Sequence, residues 1–221
     1  MKIIELNETV TASNDRDAEA LRLRLRRAGT LLVNVMSSPG SGKTTLISRL
    51  IRDLPMLRIG VMEADIESDV DAKRIEALGA AAIQVHTSGM CHMDAGMTAA
   101  AWEAMERKDL DLIFLENVGN LICPAEYDTG AAKNLMLLSV PEGDDKPLKY
   151  PLMFQKSDAL VITKTDALPY FNFDPEQCAE RARKLNPAIR IFPVSAKTGE
   201  GMAELAHWII GQIQSLKYNC L

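Results

Sequence analysis

Seven short runs rich in Val, Ile and Leu punctuate the chain: TLLVNVM from Thr30, LRIGVM from Leu57, AAIQV from Ala81, DLIFLEN from Asp111, NLMLLSV from Asn134, ALVITKT from Ala159 and IRIFPVS from Ile189. Their apolar character is nearly continuous, where a half-exposed strand would alternate, so strands buried on both faces are predicted. Between most of them the spacing becomes helical, in GKTTLISRLIR, DVDAKRIEAL, MTAAAWEAMER, PEQCAERARKL and GMAELAHWIIGQIQ. A further helix is predicted through RDAEALRLRLRR, capped by Asn14 or Asp15 and stopped at Gly29. Between DLIFLEN and NLMLLSV only a loop, VGNLICPAEYDTGAAK, is expected. Strands alternating with helices predict an α/β fold, a mostly parallel sheet of about seven strands with helices on both faces. Residues 1–29 are expected as an N-terminal helical arm packing on a single domain of residues 30–221.

Composition removes function classes. A net charge of −5 and a pI near 5.3 lack the basic footprint of a nucleic-acid binder. No apolar run approaches the roughly 18 residues of a membrane span, and MKIIELNETVTASN has no sustained apolar stretch of the signal-peptide kind. Cys91, Cys123, Cys178 and Cys220 are too sparse for a disulfide scaffold. They are expected as reduced thiols or metal ligands in a cytoplasmic protein.

The stretch Ser37-Ser38-Pro39-Gly40-Ser41-Gly42-Lys43-Thr44 lies between a predicted strand and a predicted helix. That is the context of a phosphate-binding loop, with Ser37 where the motif usually has its first glycine. Gly40 and Gly42 allow backbone amides to turn inward around phosphates, at a helix N-terminus that favours anions. Lys43 is expected on the β/γ-phosphates, and the Thr44 hydroxyl on Mg²⁺. Gly40, Ser41, Gly42, Lys43, Thr44 and Thr45 form the expected phosphate set, and Ser37 is expected only to begin the turn.

Two later segments concern the base. Thr163-Lys164-Thr165-Asp166 resembles the guanine motif NKxD with Thr for Asn. The Asp166 carboxylate can accept from guanine N1–H and the 2-amino group, a donor pair adenine lacks. Lys164 is expected along the base plane. Ser195-Ala196-Lys197 resembles the loop whose backbone amide meets guanine O6. All three elements fall at strand ends in the expected order, so GTP is predicted over ATP.

Cys91 and His92 follow one strand, and Cys123 follows another. Both segments should emerge on the edge that carries the phosphate loop. Two thiolates and an imidazole suit Ni²⁺, Zn²⁺ or Cu, with a fourth position left for water or a second chain. The spacing alone also fits buried, inert cysteines. Cys178, Cys220, His86 and His207 are expected to be structural or incidental.

Taken together, PGSGKTTL, TSGMCHMDAG, LENVGNLICPAEYDTG and EGDDKP closely resemble the HypB family of nickel-incorporation GTPases, within the SIMIBI class of dimerising P-loop NTPases. The resemblance covers nearly the whole chain. It implies a GTPase, hydrolysing GTP slowly to GDP, that helps insert nickel into the [NiFe]-hydrogenase large subunit. It also implies a GTP-dependent homodimer and two partners, a HypA-type metallochaperone and the large-subunit precursor. It implies catalytic roles for Lys43, Asp65 and Glu116, with Mg²⁺ held through Thr44, Asp65 and Glu116, and Ni²⁺ or Zn²⁺ held by Cys91, His92 and Cys123. The N-terminal CxxCGC motif or His-rich stretch of many members is absent from MKIIELNETVTASN, so nickel storage there is not expected. Three other readings stay open: a metal-binding GTP switch with negligible turnover, the urease accessory GTPase UreG, and a small-molecule kinase. The Cys-Pro-His motif of UreG is not matched by Cys91-His92, and the guanine elements disfavour a kinase.

Overall fold

All seven apolar runs form strands: β1 (Leu31–Ser37), β2 (Ile59–Asp65), β3 (Ala81–His86), β4 (Leu112–Glu116), β5 (Lys133–Ser139), β6 (Ala159–Thr163) and β7 (Arg190–Pro193). The computed structural model describes residues 6–65, 75–87 and 89–218, with residues 6–11 and 65 described by backbone alone. The strands make one sheet in the order β3-β2-β4-β1-β5-β6-β7, and every neighbouring pair is parallel. Parallel pairing explains the continuous apolar runs, because both faces must be covered by the connecting helices.

The helices are α1 (Leu6–Ala28), α2 (Lys43–Asp53), α3 (Ala95–Ala104), α4 (Cys123–Glu126), α5 (Lys146–Lys149), α6 (Pro151–Gln155), α7 (Pro175–Leu185) and α8 (Met202–Tyr218). The predicted helix DVDAKRIEAL falls largely on residues 69–74, outside the described residues.

Alternate β1 residues face opposite sides. Leu31, Val33 and Val35 join Leu46, Ile47 and Leu50 of α2 and Leu205 and Ile209 of α8 in one core layer. On the other face Leu32, Ile113 and Leu115 pack with Leu21 and Leu25 of α1 and Ala101 of α3. The rest of that face is covered by Phe154 of α6 and Ala182 of α7, over Met136, Leu138 and Leu160.

Three boundary expectations are corrected. The helix expected from Arg16 already runs from Leu6, so Asn14 lies inside α1 and does not cap it. Its buried amide is engaged by other segments, as set out below. At the far end Gly29 does stop α1, through paired bonds from Gly29 N to Arg26 O (2.9 Å) and Thr30 N to Leu25 O (3.0 Å). The helix expected over 97–107 instead starts at Ala95, because the Asp94 carboxylate caps it by accepting from Met97 N at 2.8 Å. It ends at Ala104, since an extended Met105 drops its side chain into the layer with Leu110 and Ile113. The expected loop after β4 carries one helical turn, α4.

Candidate functional site

Parallel strands place the ends of β1, β2, β3, β4, β5 and β6 on one edge of the sheet, where α/β folds bind ligands. β1 passes through Ser37 into a loop whose Gly40 and Gly42 have φ of 75° and 95°, the left-handed region that glycine permits at little cost. α2 then starts at Lys43. A cleft of about 330 Å³ opens there, lined by Gly40, Gly42, Lys43, Thr44, Thr45, Glu116 and Lys164. Thr44 Oγ1 donates to Glu116 Oε1 at 2.8 Å, so a hydroxyl and a carboxylate converge on the cleft. Asp65 ends β2 on this edge, but its side chain lies outside the described residues.

Ser37 does more than begin the turn. It is buried, donates to Ser38 O at 2.7 Å and accepts from Lys43 Nζ at 3.1 Å. It thereby holds the lysine beside the loop. Beneath the loop, Glu142 accepts from Ser38 Oγ, from Ser41 Oγ (3.0 Å) and from Ser139 Oγ (2.7 Å) and N (2.8 Å). Glu142 belongs to the EGDDKP segment, yet its contacts with the loop span about a hundred residues of chain.

The base elements are brought together. Lys164 is the one non-glycine among the described residues with positive φ, at 61°, a strained conformation of the kind found at ligand clamps. Its Nζ donates to Gly40 O at 2.7 Å, and Thr163 Oγ1 donates to Ser41 O at 2.7 Å. Thr163 thus ties the strand to the phosphate loop itself. Ser195 Oγ donates to Asp166 Oδ1 at 2.7 Å, and Lys197 Nζ stands 3.8 Å from Asp166 Oδ2. The Ser195 bond is the foremost cause holding the Asp166 carboxyl below the usual carboxylate range, so it stays an ionised acceptor. Ala196 lies between them, with its carbonyl accepting from Arg49 Nη1 at 3.3 Å.

On the other side of β1, Cys91, His92 and Cys123 place ligand atoms within 4.8 Å of one another. Cys91 Sγ is 3.8 Å from His92 Nδ1. The His92 ring stacks on Tyr127, with centroids 3.9 Å apart, and its buried Nε2 has no hydrogen-bond partner among the described residues. Burial is the main cause that lowers the His92 pKa, against the opposing pull of Asp94 and Glu126, which favours the neutral imidazole that a metal site requires. A hydrogen bond shared with Cys91 leads the causes that raise the Cys123 thiol, followed by burial. Two clustered thiols and a neutral imidazole fit a soft or borderline cation. Cys178 is buried inside α7 and takes no part, and Cys220 lies outside the described residues. His86 and His207 are exposed and are not members of this cluster.

The two sites share a segment. Glu116 ends β4, and the chain reaches Cys123 seven residues later. Asn117, buried, accepts from Met93 N at 3.1 Å, one residue past His92, and donates to Asn34 of β1 at 3.0 Å. Gly119 lies against Pro39 so closely that a Cβ would fall 2.9 Å from its backbone nitrogen. Sequence reasoning missed Glu142 and Gly119.

The family model described as CobW/HypB/UreG, nucleotide-binding domain, matches residues 31–193. The hydrogenase maturation factor HypB of Azotobacter chroococcum mcd 1 is 46% identical over 209 residues, covering 94% of this chain and 68% of that protein. This chain belongs to the HypB family of hydrogenase maturation factors. HypB from Helicobacter pylori, solved in complex with nickel, superposes with a TM-score of 0.88 at 39% identity, covering 92% of this chain and 96% of that one. HypB from Archaeoglobus fulgidus gives a TM-score of 0.86 at 37% identity, covering 91% and 99%. The fold is that of these HypB structures, and the chain carries a nucleotide-binding domain of the family. No described helix is long and apolar enough to cross a membrane.

Proposed function

We propose that the chain is a GTPase that helps deliver nickel to the [NiFe]-hydrogenase large subunit, with the nucleotide state controlling metal release. Residues 30–221 form the GTP-binding domain, on which residues 1–29 pack as an arm. Lys43 binds the β/γ-phosphates, and the backbone of Gly40 to Thr45 surrounds them. Asp166 accepts from the guanine donors, Lys164 lies along the base, and the Ser195-Ala196-Lys197 loop meets its O6 edge. The hydroxyl of Thr44 and the carboxylates of Glu116 and Asp65 are hard oxygen donors suited to Mg²⁺, which neutralises phosphate charge when bound. Catalysis is by positioning and charge, and turnover is slow.

Nickel is cargo, taken by Cys91, His92 and Cys123. Zn²⁺ competes for the same thiolates, so delivery of nickel depends on partners and on the switch. The partners are a second copy of this chain in the GTP state, a HypA-type metallochaperone and the large-subunit precursor, all in the cytoplasm. The observation that carries this reading is the Glu116–Cys123 segment, which joins the phosphate cleft to the thiol cluster.

Phosphate release from GTP tests it. The protein should hydrolyse GTP in preference to ATP, and Lys43→Ala should lose tight GTP binding and hydrolysis while keeping its thermal stability. Equal hydrolysis by the variant would remove the phosphate loop from the account.

A further inference from the structure

We propose that Asn14 is a positioning residue for the metal centre, and that the seating of α1 sets the centre's affinity. The proposal rests on Cys91, His92 and Cys123 being the metal ligands. Asn14 is 9% exposed, at the middle of a helix where polar side chains usually face water. Its Oδ1 accepts from Ala95 N at 3.0 Å, three residues past His92. Its Nδ2 donates to Asp128 O at 2.9 Å, five residues past Cys123. One amide therefore bridges the two separate segments that bring the ligands together.

The same helix grips the second segment twice more. Arg22 Nη2 donates to both Asp128 carboxylate oxygens at 2.8 Å, and Arg22 Nε donates to Ala131 O at 3.2 Å. A Cβ on Gly130 would come within 2.9 Å of Leu21 Cδ2, so helix and loop are in close contact. Tyr127, just before Asp128, carries the ring on which His92 stacks. The circuit from His92 along the chain to Ala95, across to Asn14 and Asp128, back one residue to Tyr127 and onto His92 is closed by two hydrogen bonds, one ring stack and the chain itself. Asn14 touches none of the three ligands and acts through the segments that carry them, holding ligand geometry against the entropy of two loose loops.

The test is to titrate Ni²⁺ into the full chain and its variants, following thiolate-to-metal charge-transfer absorption. Asn14→Ala should raise the Ni²⁺ Kd about 10- to 100-fold and shift the charge-transfer band, with GDP affinity within about twofold of the parent. Asn14→Asp keeps an acceptor for Ala95 N–H but sets a carboxylate oxygen against the Asp128 carbonyl in a buried site, and should recover none of the loss. Should Asn14→Ala fail to fold, Arg22→Gln loosens the same segment from its exposed side and should weaken Ni²⁺ in the same direction, by less. Cys123→Ala separates the two layers of the argument. If it leaves Ni²⁺ affinity unchanged, the metal reading fails and this proposal with it. If Cys123→Ala loses Ni²⁺ while Asn14→Ala and Arg22→Gln do not, the proposal is overturned and the metal site stands. A parallel loss of GDP and Ni²⁺ affinity in Asn14→Ala would also overturn it, as general destabilisation.

Discussion

Replacing Gly119 by alanine probes the contact through which the phosphate loop and the metal segment touch. The new Cβ would lie 2.9 Å from Pro39 N and 3.0 Å from its Cα and Cγ. Two of these atoms are backbone, so no side-chain rotation relieves the clash, and one loop must shift by a few tenths of an ångström. Overpacking of this kind costs about 1–3 kcal/mol. Pro39 immediately precedes Gly40, which lines the cleft proposed to hold the phosphates, so much of the strain should fall on nucleotide binding. At 1.4 kcal/mol per decade, GDP and GTP affinities should drop by about 5- to 150-fold. If instead the whole fold absorbs the strain, the melting temperature should fall by roughly 2–4 °C per kcal/mol for a chain of this size. Fluorescent-nucleotide titration and a thermal melt read both outcomes. Gly211→Ala is the control, because nothing lies within 4 Å of its Cβ position inside α8. It should raise stability by about 0.5–1 kcal/mol and leave nucleotide affinity alone. Unchanged affinity and unchanged melting in Gly119→Ala would refute the claim that the two loops are in rigid contact.

Asp166→Asn should cost guanine nucleotides about 1–3 kcal/mol, and competition of GTP against ATP would reveal it; an unaltered preference would make this carboxylate a structural partner of Ser195 only. Asp111, immediately before β4, accepts from Arg58 and Lys217, and the Arg58 bonds chiefly hold its carboxyl far below the usual range. A depressed folded-state pKa stabilises fully above the unfolded value near 4 and is lost as pH falls below it. Asp111→Asn should therefore destabilise at neutral pH, by about 1–2 kcal/mol, with the gap to the parent closing in acid melts. Because Cys91 and burial hold the Cys123 thiol protonated, metal binding should release a proton from it, and affinity should rise with pH. Calorimetry in buffers of different ionisation enthalpy measures this, and an enthalpy independent of buffer would contradict it.

The sheet was legible because a buried parallel strand needs a local composition, and all seven runs carried it. The form of the loop between β1 and α2 was legible for a similar reason, since its glycines, lysine and threonine fall within eight consecutive residues and line one cleft. What stayed hidden depends on contacts between distant segments. Asn14 resembles a helix cap in sequence, but its side chain is taken by Ala95 N and the Asp128 carbonyl, 81 and 114 residues away. Glu142 is one acidic residue among several in EGDDKP until Ser38 and Ser41 approach it. Gly119 has no unusual backbone demand and is required by the nearness of Pro39, which no spacing rule announces. Thr163, which sequence reasoning treats as a weakened Asn, has its own bond to Ser41.

Coupling of the nucleotide and metal sites through residues 116–123 can be read by titrating Ni²⁺ into the GTP-analogue and GDP forms, with Mg²⁺ present. Kd values should differ between the two forms by about 5- to 150-fold, the usual range for linked sites, with nickel changing nucleotide affinity by the same factor. Equal Ni²⁺ affinity in both forms would contradict it.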